Sequence, residues 1–420
     1  MSLVLSLVFF GLLVLSVPVA HTLVIASGAS LWADGALPLL LVVQQMFAQT
    51  QSFPLLALPF FVLAGELMMT GKLGQGLIGF ASATVGHYRG GLASTTVVGS
   101  VVFGGVSGSA VSDASALGSV LIPWQKREGY PAGFAAANNA AAATIAILIP
   151  PSIPMILYAL VSNVSVGALF VAGVLPGLML AAGFLLVCNV SARLRGFPVT
   201  HQRLARGEVW GLALRALPAL AMPVLILACL RFGVATPTEV SVMAVLYALV
   251  VATFIYRDMT IARFLGALVN SGRATGVVML VIMASAAVGW IMTFVQAPQA
   301  FAAWATGTLQ QPWLILLAMN AIMLGAGMFI DLPAAILLLG PIFVPLAQSI
   351  GLDLVQLGVI MVLNLAIGLY TPPVGTTLFI STTIARVPIL RATVELLPFY
   401  AVGLTVLLLF SYFPGLTMRF

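Results

Sequence analysis

Two aspartates stand alone inside long apolar stretches of this 420-residue sequence. Asp113 lies in GGVSGSAVSD, and Asp331 lies in LGAGMFIDLP. An ionisable group at the centre of a membrane helix costs about 2.5 to 3.5 kcal/mol on insertion scales, so an unpartnered carboxylate is not expected there. Each aspartate is therefore expected either to contact a cation or to accept hydrogen bonds from the free amides at a helix start.

A pair of aspartates can also act as a proton-sharing catalytic dyad, as in an intramembrane aspartyl protease. Enzymes of that kind carry Tyr-Asp and Gly-x-Gly-Asp signatures. Here the two contexts are Val-Ser-Asp-Ala and Phe-Ile-Asp-Leu. The sequence therefore favours a binding role over catalysis, and no enzyme activity is predicted.

The composition decides where these residues are located. The chain is 62% hydrophobic and only 6% charged, whereas a soluble domain carries about a quarter charged residues. The net charge of +6 comes from isolated Arg and Lys residues beside apolar runs, without the basic face that binds nucleic acid. The sequence predicts a partner in the lipid bilayer and no nucleic acid.

Apolar runs long enough for membrane helices recur along the chain, since a helical span needs roughly 20 mostly apolar residues. The first run lacks the basic start of a signal peptide and is too long for one, so it is predicted to be a retained first helix. The segment QQMFAQTQSFP, from Gln44 to Pro54, is polar for such a protein and is expected to form a scaffold contact or a short interfacial helix. The runs are 2–31, 36–49, 53–69, 166–190, 216–230, 238–256, 274–296 and 394–414.

Two further segments are too long for one straight crossing. Residues 91–123 and 313–345 are each about 33 residues, or about 50 Å as helix, against a hydrocarbon core of about 30 Å. Both are interrupted near the middle by Gly, Ser, Asp or Pro, which favours a helix, a turn and a second helix. Each is predicted to be a re-entrant hairpin.

The positive charges predict the orientation, because Lys and Arg in short loops mark the cytoplasmic side. The polar interval 191–215 holds five Arg residues. With two re-entrant hairpins, nearly all other positive charges fall on the same side, and only Arg231 and Arg419 fall outside. The first hairpin then opens to the cytoplasm, the second opens to the opposite face, and both termini are periplasmic.

An internal repeat relates the two halves. Asp113 and Asp331 are 218 residues apart, and so are Pro123 and Pro341. Each hairpin is followed by an apolar segment that a double proline must break, because proline removes an amide donor and strains the preceding turn. The double prolines are Pro150-Pro151 in ATIAILIPPSIPMILY and Pro372-Pro373 in NLAIGLYTPPVGTTLF.

The fold class predicted from these features is an all-α polytopic membrane protein with two inverted-topology repeats, two re-entrant helical hairpins and two broken transmembrane helices. In such folds, solute and coupling-ion sites form at the discontinuous helices near the bilayer midplane. Backbone carbonyls left free at membrane depth are tolerated where they line a cavity. Carbonyl and hydroxyl oxygens are hard ligands that suit a cation such as Na⁺.

The same segments resemble a known family, the large membrane subunit (DctM type) of tripartite ATP-independent periplasmic (TRAP) transporters. The resemblance covers nearly the whole chain, from Val17 to Gly415. It rests on several long motifs in order: GGVSGSAVSDASALGSVLIPWQKREGYPAGFAAA, IPPSIPMILYALVSNVSVGALFVAGVLPGL, TPTEVSVMAVLYALVVATFIYRDMT and GVIMVLNLAIGLYTPPVG.

The resemblance implies a fold of the elevator-type ion-transporter superfamily in the bacterial inner membrane, driven by a Na⁺ gradient. It implies two protein partners, a small four-helix membrane subunit and a periplasmic substrate-binding protein. That binding protein would deliver a carboxylate, commonly a dicarboxylate, sialic acid or another organic acid. A stand-alone Na⁺/carboxylate symporter of the same superfamily is the alternative, and it would need no binding protein.

The resemblance also implies site residues at the two hairpin tips and the two helix breaks. For Na⁺ these are Ser107, Gly108, Ser109, Asp113, Thr144, Pro150, Gly325, Gly327, Asp331, Asn364, Thr371, Pro372 and Gly375. For the substrate carboxylate they are Ser107, Ser109, Pro151, Ser152, Gly375 and Thr376.

The expected organisation alternates scaffold and transport parts. Scaffold helices of the two repeats are predicted over 1–90 and 216–312, and transport parts over 91–165 and 313–385. The transport parts contain the hairpins and broken helices at about 134–160 and 355–382. Residues 166–215 form a connecting helix with the Arg-rich loop, and 386–420 form the C-terminal helix.

Overall fold

The computed structural model describes residues 1–15, 17–69, 72–198 and 206–417, and within these ranges the chain is helical without strands. The long helices expose many large apolar side chains, such as Leu186, Phe254 and Leu397, as a lipid-facing surface requires. The helices are α1 Ser2–Val14, α2 Val19–Asp34, α3 Leu40–Thr50, α4 Ala57–Met69, α5 Lys72–Val85, α6 Gly91–Ser107, α7 Ala110–Arg127, α8 Ala132–Ala142, α9 Ile153–Ser162, α10 Val166–Arg195, α11 Arg206–Arg231, α12 Pro237–Val250, α13 Ile261–Phe294, α14 Ala297–Leu309, α15 Pro312–Gly327, α16 Leu332–Ser349, α17 Leu354–Leu369, α18 Thr376–Ala385 and α19 Ile389–Tyr412.

The first apolar run does not form one helix, so the prediction for 2–31 is wrong. The chain turns before Pro18, and α2 packs back along α1. The Ser30 hydroxyl donates to the Met1 carbonyl at 3.0 Å, which places the chain start beside the end of α2. Proline at a helix start is tolerated but cannot continue a preceding helix. Each half is too short to cross a core of about 30 Å alone.

The polar segment after the second run lies at a bend. Helices α3 and α4 meet at an angle of 66° across a short 3-10 turn, Phe53–Leu56. Helix α3 packs along α13, and α4 packs along α12 and α13. The segment from Gln44 to Pro54 therefore contributes to the scaffold contact that was one of its two expected roles.

Six helices of the described ranges are long and apolar enough to cross a membrane, and the bent pair α3–α4 would make a seventh crossing. The six begin and end at Val166–Arg195, Gly207–Arg231, Pro237–Ile255, Ile261–Phe294, Leu332–Ser349 and Ile389–Tyr412.

Both predicted hairpins form as helix–turn–helix units. In the first, the Gln125 amide near the end of α7 donates to the Leu92 carbonyl at 3.2 Å and to the Thr96 hydroxyl at 2.8 Å, near the start of α6. The two helices are therefore antiparallel and their open ends meet. In the second, α15 and α16 contact each other and are joined by a turn over residues 328–331.

Both predicted broken helices are also present. Helix α8 passes through a 3-10 turn, Ala143–Ile147, and is separated from α9 by Pro150-Pro151, whose peptide bond is cis. Helix α17 is separated from α18 by Pro372-Pro373, whose peptide bond is also cis.

The broken helices run in opposite directions. The Lys126 ammonium, just before α8, donates to the Ala385 carbonyl at the end of α18 at 2.8 Å. The Tyr158 hydroxyl, near the end of α9, donates to the Leu354 carbonyl at the start of α17 at 2.7 Å. The beginning of each broken helix therefore lies beside the end of the other, as an inverted repeat requires.

The structure corrects the register of the repeat. Asp331 is the N-cap residue of α16, whereas Asp113 lies within the first turn of α7, and the N-cap of α7 is Ser109. Ser109 and Asp331 are 222 residues apart, the same offset that separates Pro150 from Pro372. The offset of 218 matched the aspartates and Pro123 with Pro341, whereas Pro345 is the structural counterpart of Pro123.

Buried amides tie the two repeats into one unit. The Asn139 amide in α8 donates to the Ala114 carbonyl of α7 and to the Ser381 hydroxyl of α18, both at 2.9 Å. Asn139 is 1% exposed, so both bonds form away from water. One side chain thereby joins a hairpin, a broken helix and the opposite repeat.

We predict that Asn139→Ala destabilises the folded chain by about 1 to 3 kcal/mol, because it leaves buried acceptors unpaired. The measurement is the midpoint of thermal unfolding in detergent. The matched control is Asn270→Ala, which removes an exposed amide whose only bond, to Glu66, is long at 3.4 Å. Equal midpoints for the two variants would contradict the assigned role of Asn139.

Candidate solute and cation site

The tip of the first hairpin is a tight turn between α6 and α7. Gly108 adopts the left-handed conformation at φ +59°, and the Ser109 hydroxyl then caps α7 by accepting from the Ser112 amide at 3.4 Å. The Ser107 hydroxyl donates to Oδ1 of Asp113. Asp113 therefore does not cap the helix, because its carboxylate points to the end of the preceding helix.

The Asp113 carboxylate is buried and only half satisfied. The residue is 0% exposed, and its Oδ2 contacts no hydrogen-bond donor among the described residues. Removing an ionised carboxylate from water without a partner is very costly. The second oxygen therefore needs a proton or a cation.

The first tip is pressed against the first helix break. A Cβ atom built on Gly108 would lie 2.1 Å from the Pro151 carbonyl oxygen, so no larger residue fits there without a shift. Behind the break, Ser152 caps α9 and donates to the Ile147 carbonyl. The tip and the broken backbone thus form one continuous wall, which places Pro150 and Pro151 beside Gly108.

The second tip meets the second helix break in a similar way. The Val374 amide donates to the Met328 carbonyl at 3.3 Å, which ties the break to the tip. Helices α15 and α17 approach closely, because a Cβ built on Gly368 would lie 2.4 Å from the carbonyl carbon of Gly327. Asp331 is exposed at the start of α16, and its side chain makes no capping hydrogen bond.

The two tips face each other across a cavity of about 190 Å³. Gly108 and Ser109 line one side, and Asp331 lines the other. The first turns of α7 and α16 also line it, so the amide ends of two 18-residue helices face the space. Ile147 and Leu369, which precede the two breaks, and Val278 of α13 complete the wall.

Several predicted ion ligands lie behind this cavity with their hydroxyl protons already committed. Thr144 donates to the Ala141 carbonyl at 2.7 Å, and Thr371 donates to the Ile367 carbonyl at 2.6 Å. Each hydroxyl oxygen keeps free lone pairs that can bind a cation. Thr376 is the exception, because its buried hydroxyl contacts no partner among the described residues. It follows Gly375, whose φ is +42°.

Asn364 lies in a buried amide network beside the second break. Its amide nitrogen donates to Asn320 Oδ1 at 2.8 Å and to the Asn320 carbonyl at 3.0 Å. The Asn320 amide in turn donates to the Ser411 hydroxyl of α19 at 3.0 Å. The Oδ1 atom of Asn364 has no donor among the described residues, so it remains an open oxygen ligand.

Gly325 is placed away from the rest of the predicted set. It lies one turn before the end of α15 and lines a separate apolar cavity of about 660 Å³, together with Leu5 and Phe9 of α1. The structure brings together the tips and the breaks, but it does not bring Gly325 to the cavity between them. Pro372 and Gly375 stay in the second break.

Sequence reasoning missed Asn139 and Val278. The adjacent amides of Asn138 and Asn139 in the otherwise apolar FAAANNAAAA were a signal for Asn139, since amides at membrane depth require partners. Val278 carried no such signal, because an apolar residue in an apolar helix is typical of any position on α13.

Comparison with known proteins is consistent with this architecture. The family described as "Tripartite ATP-independent periplasmic transporter, DctM component" matches residues 6–416. The chain is 57% identical to the uncharacterised protein y4mL of Sinorhizobium fredii, over 100% of both chains. It is 39% identical to the C4-dicarboxylate TRAP transporter large permease protein DctM of Pseudomonas aeruginosa, over 93% of each chain.

A solved structure shares the fold. The YdaH transporter of Alcanivorax borkumensis superposes with a TM-score of 0.65, covering 89% of this chain and 87% of that one at 14% sequence identity. At this identity the likeness concerns the fold alone, and it confirms the predicted fold class. The extent of the family match carries the assignment: the chain belongs to the DctM family of tripartite ATP-independent periplasmic transporters, as a large permease subunit and multi-pass membrane protein rather than an enzyme.

Proposed function

We propose that this subunit imports an organic acid by sodium symport across the bacterial inner membrane. A periplasmic binding protein delivers the acid, and a small four-helix membrane subunit completes the complex. The hairpins and broken helices move as one body against the scaffold in an elevator-type cycle. The single observation that carries the proposal is the cavity between two hairpin tips, each of which is lodged against a broken helix.

The cavity suits a carboxylate because two helix starts face it. Free amides and the helix dipole make a helix N-terminus attractive to anions. The first turns of α7 and α16 both line the space. The C4-dicarboxylate relative supports the same solute class, because its printed name specifies an organic acid.

Sodium coupling follows from the two carboxylates. Asp331 lines the cavity, so a second negative charge there would be repelled unless a cation were present. Asp113 is buried with one free oxygen. No cluster of three or more His, Cys, Asp or Glu occurs in the described part of the chain. The ligands are therefore mainly carbonyl, hydroxyl and amide oxygens, which suit a hard monovalent cation.

Rigid-body movement is supported by the bonds between the repeats. Asn139 bonds to Ser381 and Lys126 bonds to Ala385, so the two hairpin units are joined to each other. The scaffold is joined separately, through contacts of α13 with α2, α3 and α4. This division of contacts favours sliding between the two groups over bending within one.

The central test is uptake into proteoliposomes that contain this subunit, its small membrane subunit and the binding protein. A panel of radiolabelled acids, including succinate and N-acetylneuraminate, identifies the acid that accumulates. We expect accumulation with an inward Na⁺ gradient and none when choline replaces Na⁺. Uptake that persists in choline would refute sodium coupling, and uptake without the binding protein would favour the stand-alone symporter.

We predict that Asp113→Asn raises the Na⁺ concentration for half-maximal uptake by about tenfold or more, where each factor of ten corresponds to about 1.4 kcal/mol. The substitution keeps the shape of the side chain and removes its charge. The control is Asp353→Asn at the start of α17, where the carboxylate accepts from the Val355 and Gln356 amides at 2.9 and 3.0 Å. Because Asn caps helices as well as Asp does, the control should transport normally.

An unchanged sodium dependence in Asp113→Asn would show that the buried carboxyl is protonated rather than bound to the cation. Ser109→Ala and Asp331→Ala extend the test to the cavity walls. Each is expected to reduce sodium-dependent uptake, and full activity in both would remove the tips from the ion site.

We predict that Gly108→Ala lowers uptake about a hundredfold, the loss that misplacing reacting or binding groups by about 1 Å can cause. The added methyl group would overlap the Pro151 carbonyl and push the tip from the break. The control is Gly35→Ala, at φ +69° with no atom within 4 Å of the added group. It carries the same left-handed penalty of about 1 to 2 kcal/mol but no clash. Similar uptake by the two variants would show that the close contact is unimportant.

A further inference from the structure

A second cavity, of about 320 Å³, continues the first along the same three helices. On α13, Val278 lines the first cavity and Ile282 lines the second, one turn further on. On α16, Pro333 and Leu337 are related in the same way. Helix α9 contributes to both cavities, and α3 adds a fourth wall to the second. We call this second cavity the α3 vestibule.

The α3 vestibule is polar where the neighbouring scaffold cavity is not. Gln45 and Gln49 lie one helical turn apart on one face of α3, and Ser285 and Thr293 face them from α13. Neither glutamine amide forms a hydrogen bond with another described residue, so both are free to bind a guest. The apolar cavity beside α1 has a similar setting between scaffold and hairpin but is lined by Leu, Ile, Phe and Val.

Ser285 provides a second, independent sign that the vestibule holds a polar guest. The residue is 3% exposed, and its hydroxyl has no hydrogen-bond partner among the described residues. A buried hydroxyl is rarely left unpaired in a folded protein. The vestibule has room for about ten water molecules at roughly 30 Å³ each. The missing partner is therefore expected inside the cavity.

We propose that the α3 vestibule is an aqueous subsite through which the acid passes on its way to the cavity between the tips. This inference rests on the proposed function. The amide groups of Gln45 and Gln49 and the hydroxyl of Ser285 donate to the carboxylate of the passing solute. Uncharged donors hold an anion without the strong binding that would stop its movement, since charge-assisted bonds are roughly twice as strong as neutral ones.

The position on α13 gives the vestibule a direction. Helix α13 begins just after Arg257 and ends at Phe294, and Ser285 and Thr293 lie towards its end. The positive charges predict a cytoplasmic start for this helix. The vestibule therefore opens towards the periplasmic face, the side from which a binding protein delivers solute.

The test uses single cysteines and sulfonatoethyl methanethiosulfonate, a small anionic thiol reagent. Gln45→Cys and Gln49→Cys report on the vestibule, and Val43→Cys is the matched control on the opposite, exposed face of α3. The background is Cys229→Ala, which leaves only the fully buried Cys188. The reagent is added to spheroplasts and, separately, to inverted membrane vesicles that contain the complete transporter.

We expect the thiols at positions 45 and 49 to react about tenfold or more faster than the thiol at position 43, because only a hydrated thiol ionises to the reactive thiolate. The reaction should occur in spheroplasts, and modification should block uptake of the acid identified above. Rates no greater than that of Val43→Cys, reaction only in inverted vesicles, or full uptake after complete modification would each overturn the proposal. The labelling rates require neither sodium nor the binding protein, so failure of the proposed function would leave this readout intact.

Discussion

The backbone of a membrane protein must satisfy its own hydrogen bonds, because the hydrocarbon core offers no water to do so. This chain interrupts that backbone in the two transport parts at four places, two hairpin tips and two double-proline breaks. Each tip lies against a break: Gly108 against Pro151, and Met328 against Val374. The interruptions thus cover one another, and the polar groups that remain open surround a small cavity.

Close packing between these elements depends on small residues. Gly327 and Gly368 allow α15 and α17 to approach within contact of their backbones. Buried amides then fix the relative position of the parts, with Asn139 between the repeats and Asn364 beside the second break. Interhelical hydrogen bonds of this kind add stability where lipid provides no hydrophobic driving force between helices. The same contacts that hold the fold together also define the site.

Much of the architecture could be predicted from the sequence because its interruptions are chemically explicit. The double prolines can only break a helix, and the Gly- and Ser-rich tip around Gly108 can only turn. The N-terminal run was misjudged because hydropathy does not distinguish one helix over 2–31 from two helices that pack against each other. Pro18 was the available signal. Whether a proline bends a helix or ends it is decided by neighbouring helices, which one sequence does not display.

The register of the repeat was also beyond sequence matching, since Asp113 and Asp331 are the most conspicuous pair but occupy different positions in their turns. The placement of Gly325 was unpredictable for a related reason. A one-turn difference along α15 moves a residue from the tip to a lipid-like cavity, and glycine carries no side-chain chemistry to mark the difference. The resemblance to a family identified the elements of the site, whereas the detailed arrangement of side chains required coordinates.

The corrected register pairs Ser109 with Asp331 at equivalent helix starts. One wall of the cavity is therefore neutral and the other is acidic, although the surrounding backbone is nearly two-fold symmetric. A guest with one charged end would experience different potentials in its two orientations, so the pseudo-symmetric chamber has an electrical polarity. The chain thus obtains directional recognition from a symmetric scaffold by changing the chemistry of a single matched position.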